Sequence, residues 1–155
     1  MPTQTITPPA QRKIGEDVFH AAFPNSLNFR VELPFSDALD FIRQIGPYND
    51  FDPETVIEAL EHVDRGIPRT QYPTDHPNNG QRNYRLSVGR EGSPVIYLER
   101  SEYAFLRHAV APLSDAAIKR ICQEMELCGH ADAATYEVHE FSGGSRTVEF
   151  RFWWD

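Results

Sequence analysis

Tyr136-Glu-Val-His-Glu-Phe-Ser-Gly-Gly-Ser-Arg-Thr-Val-Glu-Phe-Arg-Phe-Trp-Trp-Asp155 decides the fold class. On either side of Gly143-Gly144, apolar and polar residues alternate with period two, the pattern of a strand with one buried face. Tyr136 and Val138 share a face, as do Val148, Phe150, Phe152 and Trp154. The stretch reads as a hairpin, and its second strand must be tied into a sheet rather than left as a tail. Opposed residues share a face, so the register moves in steps of two. Pairing Val138 with Phe150 sets Glu137 opposite Arg151 and His139 opposite Glu149. Pairing Val138 with Val148 sets Glu137 opposite Glu149. Charge favours the first, with a loop from Ser142 to Arg146.

The rest of the chain supplies partners for that hairpin. Leu27, Phe29, Val31 and Leu33 alternate with Asn28, Arg30 and Glu32, so 27–33 reads as a half-buried strand. Ser36 caps an expected helix with the stripe Ala38, Phe41, Ile42 and Ile45, stopped by Gly46-Pro47. Asp52 before Pro53 starts another, with Val56, Ile57, Leu60 and Val63 inward. Strands at 83–88 and 94–99 flank Gly89–Ser93 as a hairpin. Ser101 opens an expected short helix through Ala109. Ser114 caps a longer one, with Leu113 and Ile118 as a hydrophobic staple, Ile121, Cys122 and Met125 on its stripe, and Gly129 as its stop. The order β, α, α, loop, β, β, α, α, β, β implies an α+β domain with a five-stranded, antiparallel-rich sheet and helices mainly on one face. The arrangement expected is a ferredoxin-like βαββαβ core with an extra carboxyl-terminal strand. Residues 1–26 form an extended arm with a short helix-spaced patch (Val18, Phe19, Ala22, Phe23), and 27–155 form the domain.

Composition narrows the function classes. A chain of 155 residues with 40% hydrophobic residues buries a sufficient core as one domain. A net charge of −8 argues against direct nucleic-acid binding or an anionic membrane as partner. No apolar run approaches the ~20 residues of a membrane span, and the first residues lack the basic and apolar regions of a secretory signal. The expected location is cytoplasmic. If Cys122 and Cys128 lie on one helix, they stand about 9 Å apart along its axis, too far for a disulfide.

Three constellations carry candidate chemistry. From Gln44 to Asp64 there is no Lys or Arg, while Asp50, Asp52, Glu54, Glu58, Glu61 and Asp64 accumulate. Glu54, Glu58 and Glu61 share one helix face at spacings that cost a few tenths of a kcal/mol per like pair. That expense suggests a docking face, with Asp50, Glu54, Glu58, Glu61 and Asp64 meeting a basic protein surface. The irregular 67–82 stretch is long for a compact domain, and its Tyr72, Asp75, His76 and Arg82 are candidates for ligand binding, with Asp75-His76 as a base and Arg82 as an anion holder. Cys122, Cys128 and His130, with His108 or His139 as a further ligand, match no zinc spacing, so no metal and no cofactor is expected. The outward sheet face carries Arg30, Arg85, Glu137, His139, Glu149, Arg151 and Trp153, and the sheet edge or Trp153 offers a contact for a homo-oligomer. No catalytic motif accompanies these features. The expected function is a non-catalytic regulator, adaptor or inhibitor that binds a basic protein through the acidic helix. The alternative is a small-molecule binder or small enzyme that uses the 67–82 loop as a lid.

Overall fold

A computed structural model describes residues 28–155; the 1–26 arm with its apolar patch, and Leu27 of the expected first strand, lie outside the described residues. Strand β1 (Asn28–Leu33) is followed by helices α1 (Phe35–Ile45) and α2 (Pro53–Gly66). The chain then forms β2 (Arg85–Glu91), β3 (Ser93–Glu102), helix α3 (Asp115–Leu127), β4 (Ala133–Glu140) and β5 (Arg146–Trp153). The strands make one five-stranded sheet in the order β1-β2-β3-β5-β4, and each neighbouring pair is antiparallel. The α+β class stands, but this is not the order of a plain ferredoxin-like fold. The difference lies in the non-local neighbours, with β1 at a border beside β2 and β3 beside β5, while both hairpins form as expected. Gly92, at φ 76°, closes β2 onto β3, and Gly143 and Gly144, at φ 82° and 80°, close β4 onto β5. Between the last two strands, β5 goes inside because its Val148, Phe150 and Phe152 are fully apolar and buried. Strand β4 offers Ala134, Tyr136 and Val138 and takes the edge.

One core joins the inward faces of the strands to α1, α2 and α3. Local capping is as the sequence implies for two helices. Asp52 accepts from Thr55 N–H at 3.0 Å, and Ser114 accepts from Ala117 N–H at 3.1 Å. Ser36 does not cap α1. The helix begins two residues earlier, after Pro34, whose carbonyl takes Ala38 N–H at 2.9 Å. Nor does Ser101 open a helix. It stays in β3, opposite Thr147, and only a 3-10 turn at Ala104–Leu106 remains of the expected segment. The strand is held that far by Glu102, which lies opposite Arg146 and is ion-paired to it.

The final hairpin takes the register that charge alone disfavours. Val138 faces Val148, Glu137 faces Glu149, and Glu99 faces Glu149 from the other side. Each carboxylate has its own polar neighbour. Arg85 pairs with Glu99, Arg30 reaches Glu149 at 3.3 Å, and His139 lies 3.3 Å from Glu137. The loop shifts to 141–145, with Phe141 N–H donating to Ser145 O at 2.8 Å and the two glycines in left-handed conformation. Direct cross-strand repulsion is therefore offset by side chains arriving from elsewhere on the sheet, and the turn geometry decides the register.

Trp154 anchors the end of the hairpin. It is completely buried, stands edge-on to Phe51 at 5.1 Å, and donates its indole N–H to Gly129 O at 2.9 Å. Its neighbour Trp153 lies on the opposite face, and its shielded Nε1 has no hydrogen-bond partner among the described residues.

A close approach between β1 and β2 provides a sharp test of the packing. A Cβ added at Gly89 would fall 2.2 Å from Phe29 O, so main chain rather than a side chain would have to move. Gly89→Ala should lower the unfolding free energy by about 1–3 kcal/mol, the range for overpacked sites, read by urea denaturation with an unchanged m-value.

Candidate functional site

Asp64 is the centre of the most developed polar constellation. It follows Ile57 by seven residues and Leu60 by four, so helical geometry places it on the buried stripe of α2 rather than with Glu58 and Glu61. It is 6% exposed. Arg82 grips it through Nε at 2.8 Å and Nη2 at 3.2 Å, Arg69 donates at 2.9 Å, and the Tyr84 hydroxyl donates at 2.5 Å. The Arg82 guanidinium also lies over the Phe35 ring, 4.2 Å from its centre, which fixes its plane.

Loop geometry delivers the two arginines. Thr70 N–H donates to Gln81 O, and Gly80 N–H donates to Thr70 O at 2.8 Å, so the 67–82 segment doubles back on itself. Asn83 fastens its base to Pro68 O at 3.0 Å. Beside the loop is a cleft of about 580 Å³. Its lining includes Phe35, Arg69, Gln81, Arg82, Tyr84 and Arg85. Long loops of this kind are held in place when they carry a site.

Burial works against the Asp64 charge, but hydrogen bonds from Arg82 and Tyr84 and the charges of Arg82 and Arg69 outweigh it. The carboxyl is held below its ordinary value. Tyr84 moves the other way, with burial first and the Asp64 carboxylate second pushing its pKa well up. Its bond to Asp64 raises the Arg82 pKa. The cluster is thus an ionised carboxylate, two fixed guanidinium groups and a phenol that keeps its proton.

The other residues singled out from the sequence fall in separate places. Tyr72 stacks on His76 at 4.0 Å and meets His108 edge-on at 6.3 Å, and Asp75 is exposed on the same loop. Arg82 turns away from them to Asp64, so Tyr72, Asp75, His76 and Arg82 do not form one site through described contacts. Asp50 in the turn before α2 and Glu58 and Glu61 on the helix are exposed, while Glu54 is paired to Arg43 at 3.1 Å and Asp64 has left the surface. His62 contacts Glu124 of α3 at 2.7 Å, beside the acidic face.

A second buried cluster was missed in the sequence. Arg100 continues the inward alternation of Ile96 and Leu98, and Glu102 continues it again, which is the signal that could have found them. Arg100 is completely buried and pairs with Glu102. Arg146 closes the group at 2.5 Å, and Leu113 N–H donates to Glu102 at 2.7 Å. Burial lowers the Arg100 pKa against the pull of Glu102. Both Glu102 oxygens are engaged, which makes this a fastening of β3, β5 and the segment before α3. A neighbouring cleft of about 570 Å³ is lined in part by Arg107, Glu140 and Phe141.

Cys122 is buried in the core, where burial raises its thiol to about 11, and Cys128 is exposed. Among the described residues no group of three or more His, Cys, Asp or Glu is placed to hold a metal. Among the same residues no helix is long and apolar enough to cross a membrane. Searches among known protein families, curated proteins and solved structures return no match to the chain.

The Asp64 cluster has a defined pH signature. The folded carboxyl binds its proton more weakly than the unfolded one, whose ordinary value is 3.8. The cluster therefore stabilises the fold above that pH and loses its contribution as pH falls through the lowered pKa. At pH 7, Asp64→Asn should cost about 3 kcal/mol, the low end for breaking a buried pair because both guanidinium groups are partly solvated. Thermal unfolding from pH 7 down to pH 2 should show the difference between the two proteins narrowing at the acid end.

Proposed function

We propose that this chain is a non-catalytic binding protein that takes a small anionic ligand in the cleft beside the 67–82 loop. The observation that supports the reading is the Asp64 cluster, in which one carboxylate is shared by two guanidinium groups at the edge of an open cleft. Within the Asp64 group two guanidinium charges face one carboxylate, and Arg69 commits only Nη2 to it; elsewhere in the lining Arg85 is shared by Glu32 and Glu99. Planar guanidinium groups with donors to spare suit a carboxylate or phosphate group. Proton transfer suits the site poorly. A general base works best with a pKa near the working pH, and both Asp64 and Tyr84 are moved away from neutrality.

The test is an NMR titration of the arginine Nε–Hε signals with inorganic phosphate and with acetate at constant ionic strength. Saturable shifts at Arg69 and Arg82 are expected with one of these anions, and Arg69→Ala should abolish them while leaving the fold intact. Equal shifts with chloride, or none with either anion, would overturn the reading.

A second reading, docking of a basic protein on the acidic face of α2, is favoured by Glu58 and Glu61. Both are exposed, and no described basic side chain pairs with them. In that case Glu54, Glu58 and Glu61 all changed to Lys should each cost within about 0.5 kcal/mol of stability. Binding to an Arg-rich peptide should be lost, and the wild-type complex should weaken with salt. Unchanged affinity and salt dependence would remove this reading and leave the anion site untouched.

A further inference from the structure

Strand β4 forms one border of the sheet, and its outer side has no partner strand among the described residues. The direction of its main-chain groups follows from the turn. Phe141 N–H donates to Ser145 O at 2.8 Å, and this pair continues the unbroken register that ends with Glu140 opposite Arg146. Hydrogen-bonded and non-bonded pairs alternate along an antiparallel ladder. Ala133, Thr135, Glu137 and His139 therefore turn their N–H and C=O groups toward β5. Ala134, Tyr136, Val138 and Glu140 turn theirs outward, to the open edge.

The side chains of the same residues add an apolar component. Tyr136 is 43% exposed and Val138 37%, on the helix side of the sheet. Exposed edges are usually guarded by proline, lysine or a bulge. Strand β4 has neither proline nor lysine and its register is continuous from Ala133 to Glu140; its charged side chains are Glu137 and Glu140.

We propose that β4 is the contact between two copies of this chain, pairing antiparallel with its own symmetry mate to continue the sheet across the interface. Two-fold pairing about Tyr136 sets Tyr136 against its copy, Ala134 against Val138 and Thr135 against Glu137. A small side chain then faces a larger one and a hydroxyl meets a carboxylate, while Glu140 at the strand's end comes opposite Asp132, which lies just outside the mate's strand. Pairing about Glu137 instead would oppose the two Glu137 carboxylates, each already in a row with Glu149 and Glu99. A second copy is the occupant the edge fits, because one set of outward groups on Ala134, Tyr136 and Val138 satisfies its own mate in an isologous interface.

Sedimentation velocity over a wide concentration range, paired with amide hydrogen exchange, tests this. A reversible monomer–dimer equilibrium is expected, with the Ala134, Tyr136 and Val138 amides gaining protection as dimer forms. Val138→Pro removes an outward N–H without removing a bond to β5, and should raise the dimer dissociation constant at least about tenfold. Tyr136→Lys brings like charges together on the two-fold axis and should have the same effect, which keeps the test decisive if the proline variant does not fold. A wild-type protein that stays monomeric throughout, or a dimer unaffected by the substitutions, overturns the proposal.

Discussion

Burial of Trp154 is the contact on which the helical layer and the sheet both depend. Its ring meets Phe51 just before α2, and its indole N–H takes the Gly129 carbonyl just after α3. One side chain at the end of β5 thus ties both helical crossovers to one end of the sheet. Gly129 is constrained by the same packing, since a Cβ there would lie 2.8 Å from Met125 O and 3.2 Å from the Ala59 side chain. A large aromatic contributes through area, and its single donor must find an acceptor once buried. Here the acceptor is main chain, so the contact fixes position as well as burial.

Polar groups inside the fold follow a related logic at two further points. Glu102 ties β3 to Arg146 of β5 and to Leu113 before α3, and Asp64 ties α2 to both ends of the 67–82 loop. A buried carboxylate must have its oxygens occupied, and each of these recruits donors from segments distant in sequence. The Glu102 group is closed and belongs to the architecture. Both groups border a cleft, and at the Asp64 group Arg69 has guanidinium donors left over. That difference in occupancy separates the structural cluster from the candidate site.

What could be read from the residues depended on how local the deciding interaction is. The alternation of β1, the Asp52-Pro53 start of α2 and the Ser114 start of α3 are set within a few residues, and they stand as expected. The hairpin register failed because Arg30 neutralises Glu149 from 119 positions away. Asp64 was grouped with the exposed acids by composition, although its spacing from Ile57 and Leu60 placed it inward. Arg69 and Tyr84 carried no local mark at all, since their role exists only once the loop has folded back. Tyr72 stacks on His76, but Arg82, grouped with them by position in the loop, is drawn off by a carboxylate on α2. Ser36 lost its capping role to a proline whose own carbonyl begins the helix.

The position of β5 has a consequence for how the chain is assembled. It is made after the other strands, yet it lies between β3 and β4. Synthesis proceeds from the amino end at about 5–20 residues per second. Between the synthesis of β3 and that of β5, therefore, β3 presents an apolar border with no neighbour, and β4, once made, has nothing to join. A nascent chain can form the β2–β3 hairpin and its helices early, but closure of the sheet waits for β5. Non-local strand pairing of this kind folds slowly, so the interval just before β5 emerges is when the growing chain is most open to association with other chains.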